Sequence, residues 1–157
     1  CGGMEQQTVG VADACGLELE AKGEVTADII VIGAYWYMDS DVKRGSLYDG
    51  TSVKDNAFDT APKHSASLWT DSDIPDTDVS VGLGARYVGA YYMDAANTKK
   101  TDGTTLFDAA LKYRIAKGTD LALNVSNLFD EQHVVGAGTA DYYNPAREVT
   151  ARVSYSW

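Results

Sequence analysis

Proline is nearly missing from this chain, with three in 157 residues, and helix-favouring Glu is rare, since seventeen of the 23 acidic residues are Asp. Few rigid breaks and many turn-formers suit long strands joined by polar loops, with helix a minor component. Cysteine is just as scarce: Cys1 and Cys15 stand alone, which excludes a disulfide framework and leaves the redox compartment open. Positive charge is low and scattered, 13 basic residues in a net charge of −10. Phosphate binding needs clustered Lys and Arg, so nucleic acid is excluded as a partner. Long apolar runs are also absent. The longest, residues 29–38, is about half a helical span, so no transmembrane helix is expected. Met4 is followed by polar residues rather than an apolar signal core. Any membrane contact must therefore be made by a barrel.

What the chain does have is alternation, clearest in its last stretch, 147–157. Val149, Ala151, Val153, Tyr155 and Trp157 fall on one parity, and Glu148, Thr150, Arg152, Ser154 and Ser156 on the other. That is a strand with one apolar and one polar face, which suits either a membrane barrel or a soluble sandwich. Taken in order, six further strands are expected at 9–23, 27–38, 64–71, 79–91, 105–115 and 120–127. The second is apolar on both faces, so pattern alone leaves its register open. Residues 39–62 lack periodicity and are expected to form a loop longer than compact domains usually carry without a function. Residues 128–146 form another long loop.

The connections alternate short and long. Short turns thus gather at one end of the strands and long loops at the other, the layout of an outer-membrane barrel. Tyr113 and Tyr155 sit toward the short-turn end, and Tyr35, Tyr37, Tyr91 and Tyr92 toward the other, as two interfacial girdles would. An all-β antiparallel transmembrane barrel of about seven strands is the expected fold. On the polar parity, Glu18, Glu20, Arg86, Asp108, Lys112, Arg114, Glu148 and Arg152 are expected to face the lumen, solvated or paired.

Several blocks resemble the C-terminal part of TonB-dependent siderophore receptors. Pro62-Lys-His-Ser-Ala-Ser-Leu-Trp69, Gly84-Ala-Arg-Tyr-Val-Gly89 and Asn124-Val-Ser-Asn-Leu-Phe-Asp130 are similar to successive strand motifs of that family. The closing strand ends Tyr-x-Trp, and Gly16-Leu-Glu-Leu-Glu20 resembles an earlier strand in which Arg is usual at the place of Cys15. The resemblance implies a plugged barrel of about 22 strands, of which residues 1–157 supply the C-terminal part without the plug. It also implies a bacterial outer-membrane receptor for a ferric siderophore, driven by the TonB complex through the missing N-terminal part. Tyr48, Tyr91, Tyr92, Tyr142 and Tyr143, in or near the long loops, become candidate ligand contacts, and Arg114 and Arg152 candidate contacts to the plug or to acidic neighbours. Val153, Tyr155 and Trp157 resemble the terminal signal read by the barrel-assembly machinery, and outer-membrane lipid is the expected surround.

Two other classes remain open on sequence: a small structural or adhesive barrel, which an eighth strand at 4–7 would allow, and a secreted β-sandwich binding module. Cys1 is either a lipidated terminus or a boundary of the sequence. No catalytic residue, metal site or cofactor is expected, iron being carried only as the ferric-siderophore ligand. His64 and His133 lie on different elements, and the Asp-rich stretch 39–59 does not have the spacing of a regular calcium loop.

Overall fold

The structure, a computed structural model, describes residues 10–137 and 140–157. The expectations for Cys1, Val9 and a strand at 4–7 lie outside the described residues. The strands are β1 (Val11–Thr26), β2 (Ile29–Arg44), β3 (His64–Asp73), β4 (Val79–Val88), β5 (Thr104–Ala116), β6 (Thr119–Ser126), β7 (Val134–Ala137), β8 (Asp141–Tyr143) and β9 (Glu148–Tyr155). Seven of them form one antiparallel sheet in the order β1-β2-β3-β4-β5-β6-β9, and β7 pairs with β8 in a small hairpin. Among the described residues the sheet is open, with β1 and β9 at its edges. Short connections at 27–28, 74–78 and 117–118 lie at one end, and long ones at 45–63, 89–103 and 127–147 at the other.

Register separates the side chains into two faces. One row runs Leu19, Tyr35, Ala66, Tyr87, Thr105, and another Leu68, Ala85, Phe107. Leu111, Leu123 and Ala151 continue this parity across β5, β6 and β9. It is apolar and uncovered: Leu19, Leu83, Val149 and Val153 all expose more than half of their surface. Among the described residues Val53, in a loop, is the one buried apolar side chain. A soluble sandwich closes its apolar faces on each other. Here a single sheet leaves that face open, so the sandwich expectation fails and the apolar solvent is lipid.

The opposite face carries Glu18, Glu20, Lys22, Trp69, Arg86, Asp108, Lys112, Asn124 and Arg152. Trp69 lies flat over two glycines of β4. A Cβ at Gly82 would stand 2.5 Å from the Trp69 ring, and one at Gly84 closer still. Gly84→Ala is therefore expected to destabilise the barrel by about 1–3 kcal/mol through overpacking. The check is the temperature at which the folded barrel loses its compact gel mobility. Adding Trp69→Leu should recover most of the loss, and a lowered temperature that Trp69→Leu leaves unrestored would place the strain elsewhere.

Pairing corrects several boundaries. The 39–62 stretch is not all loop, because β2 continues to Arg44, with Asp39 opposite Cys15 and Asp41 opposite Asp13. The first hairpin turns at 27–28 rather than 23–26, and β4 ends at Val88, short of Tyr91. Residues 128–146 contain the β7–β8 hairpin. Where strand replaces expected loop, backbone hydrogen bonds to a neighbouring strand outweigh local composition. The open register of β2 is also settled. Tyr35 and Tyr37 take the apolar face beside Leu19 and Leu17, and Trp36 the polar face beside Glu18.

Candidate ligand-facing loops and polar wall

The polar wall is laced by ion pairs. Arg86 holds Asp108 in a two-pronged contact, Nε donating to Oδ2 at 2.7 Å and Nη2 to Oδ1 at 3.0 Å. Lys112 stands 3.7 Å from Asp71, and Arg114 lies 3.7 Å from both Asp78 and Asp120. Glu18, Glu20, Glu148 and Arg152 share this face but have no ion-pair partner among the described residues. Around Lys112, Arg114 and Arg152 the wall forms a polar groove of about 440 Å³ near the short-turn end.

At the other end the three long loops are pinned together. Asn97, in a left-handed conformation (φ 55°), accepts from the Ala57 N–H at 2.8 Å and donates back to the Ala57 carbonyl at 3.0 Å. Asn56 donates to the Ala95 carbonyl at 2.8 Å and the Thr60 N–H to the Tyr92 carbonyl at 2.7 Å, so loops 45–63 and 89–103 are joined at three places. Asp94 closes the turn below Asn97, accepting from the N–H groups of Thr98 and Lys99. Slight desolvation opposes its ionisation, but those donors, the Thr98 hydroxyl and the Lys99 charge outweigh it and hold the carboxyl below its usual range.

The tyrosines divide. Tyr91 donates its hydroxyl to the Val135 carbonyl at 2.9 Å, bridging loop 89–103 to the β7–β8 hairpin, and burial pushes its phenol up. Tyr92 carries Lys100 over its ring at 5.5 Å. Tyr142 and Tyr143, on β8, are both exposed. Tyr143 lines a cleft of about 360 Å³ with Lys100, Thr101 and His133, between loops 89–103 and 127–147. Tyr48 is fully exposed on a separate excursion closed by the Ser46–Ser52 bridge. Tyr35 is no loop residue: its hydroxyl is 2.7 Å from His64 Nδ1 on the apolar face, where the Tyr37 ring lies 5.2 Å from the imidazole.

Sequence reasoning missed the base of the last loop. Asn127 and Asn144 are 3% and 8% exposed, and both donate to the carbonyls of Glu131 and Pro145. Their side-chain oxygens accept from the N–H groups of Glu131 and His133, and the Asn127 N–H donates to Asp108 at 3.0 Å. The signal was the Asn-x-x-Asn-Leu-Phe-Asp block itself, whose second Asn sits just past a strand in a position (φ 52°) that Asn tolerates better than most residues. Chemically, the loops offer aromatic faces, the ammonium groups of Lys54, Lys63, Lys99 and Lys100, and backbone carbonyls, which suits recognition of a polar aromatic or chelate surface.

An up-and-down antiparallel wall with short turns at one end, long interlocked loops at the other, a lipid-exposed apolar face and an ion-paired polar face defines an outer-membrane β-barrel chain. The family described as TonB dependent receptor-like, beta-barrel matches residues 2–128, and the chain belongs to it. It is 34% identical over 151 residues to the ferrichrome outer membrane transporter/phage receptor of Escherichia coli K12, covering 90% of this chain and 20% of that protein. The catecholate siderophore receptor Fiu of the same organism is 34% identical over 142 residues, covering 86% of this chain and 18% of Fiu. The crystal structure of the siderophore receptor PiuA from Acinetobacter baumannii superposes with a TM-score of 0.81 at 30% identity, over 94% of this chain and 22% of that one. The chain thus spans about a fifth of the relatives it matches, and it lies in the outer membrane.

Proposed function

We propose that this chain forms the closing part of an outer-membrane receptor that binds a ferric siderophore on its external side and imports it with energy from the TonB complex. The observation that carries this is the cleft between loops 89–103 and 127–147, lined by Lys100 and Tyr143 above a continuous polar wall. The siderophore receptors to which the chain is similar support it. Iron is cargo held by the siderophore, not a cofactor, and the work is recognition and transport rather than bond-making. Tyr142 and Tyr143 are the proposed contacts on β8, Tyr92 and Tyr48 outer ones, and Tyr91 acts through the hairpin it bridges. Glu18, Glu20, Glu148 and Arg152 are left for a partner inside the barrel, and Val153, Tyr155 and Trp157 for the assembly machinery.

The test is Tyr142→Ala with Tyr143→Ala in the outer-membrane receptor, titrated with ferrichrome and with a ferric catecholate. Loss of two contact aromatics should weaken the bound siderophore by roughly tenfold or more. Unchanged affinity for any siderophore that the parent receptor binds would remove β8 from the site.

A further inference from the structure

Asp108 is shared between two tasks. Its Oδ1 accepts from Arg86 Nη2 on the polar wall and from the backbone N–H of Asn127, the first residue of the last long loop. Asn127 in turn closes that loop at its base. Its amide and that of Asn144 hold the same two carbonyls, from opposite ends of the loop, and the Arg147 N–H donates to Asp130 Oδ1 at 2.7 Å. We infer that the Arg86–Asp108 pair is a positioning device for the last external loop, so that the polar face of the wall sets where the tyrosine hairpin β7–β8 stands.

The physical reason lies in what Asp108 does without its partner. Its side chain is 17% exposed, and Arg86 covers it while itself 52% exposed. A carboxylate that loses a two-pronged guanidinium turns toward water to recover solvation. Turning withdraws Oδ1 from the Asn127 N–H, and that donor sits at the entrance to a base built from buried amides. A group on the polar side that draws Arg86 away from Asp108 would act on the loop by the same route. The link to siderophore binding rests on the function proposed above; the link to loop position does not.

The experiment is hydrogen exchange on the full outer-membrane receptor in detergent, comparing Arg86→Met, Asp108→Ala and Asp108→Asn with the parent. Loss of a hydrogen bond to a charged group should speed exchange of the backbone N–H groups at 127–133 by roughly tenfold in Arg86→Met and Asp108→Ala, with the β5–β6 and β6–β9 ladders unchanged. Asp108→Asn keeps an acceptor for the Asn127 N–H and should leave the loop base near parental. If both changes leave 127–133 at the parental rate, or if Asp108→Asn opens the loop as far as Asp108→Ala, the positioning role is overturned. Ferrichrome dissociation measured on the same variants separates the two ideas. A loosened loop with unchanged release upholds the positioning and removes this hairpin from the ligand site.

Discussion

Replacing Leu83 with Arg is expected to stop most of the chain from assembling into the outer membrane. Leu83 lies mid-strand in β4, between Thr70 and Ala109 on the apolar face, and is 55% exposed. A cation at the middle of the lipid-facing band costs about 2–4 kcal/mol. Against a total stability on the order of 5–15 kcal/mol, that is enough to shift the balance toward degradation before insertion. The matched control is Asn124→Arg, exposed on the polar face opposite Ala110 and Thr150. It should assemble at close to the parental level. The measurement is the amount of heat-modifiable, protease-resistant barrel in outer-membrane fractions. Equal amounts from the two variants would show that the apolar face does not meet lipid.

The second large effect is expected at Asn127, where Ala should loosen the last loop far more than Gly does. Asn127 has φ 52°, which costs a residue with a Cβ and no polar side chain roughly 1–2 kcal/mol. Both replacements also delete an amide that serves Glu131 and Pro145 in a nearly closed site. Asn144 still donates to both carbonyls, so the group left unpaired is the Glu131 N–H, at a cost on the order of 1–3 kcal/mol where water cannot reach it. The total for Ala is therefore about 2–5 kcal/mol, and Gly should fall below it by the conformational part. Limited proteolysis within 128–146 reads the difference. If Ala and Gly are cut at the same rate, backbone conformation at 127 is not part of the effect, and if neither is cut faster than the parent the amide hub does not hold the loop.

How much of this was legible beforehand differs by element. In β4, β5, β6 and β9 one parity is apolar and the other polar, so the faces could be assigned before any pairing was known. β2 resisted, because Ile30, Ile32 and Trp36 on one parity are as apolar as Val31, Tyr35 and Tyr37 on the other. Its Asp-rich end resisted for the opposite reason: composition argues for loop, while fifteen paired positions with β1 run through to Arg44. The ligand-facing end was legible only as a set of tyrosines on long loops.

The sequence by itself determined the strand count of the main sheet, the alternation of short and long connections, and which side meets lipid, because each of these is written in local periodicity and turn chemistry. The tertiary structure decided the register of β2, the β7–β8 hairpin, the joining of three loops through Asn97 and Tyr91, and the meeting of Asp108, Asn127 and Asn144. Those depend on groups far apart in the chain satisfying one another's hydrogen bonds, and no local pattern records which distant partner a buried amide or carboxylate will find.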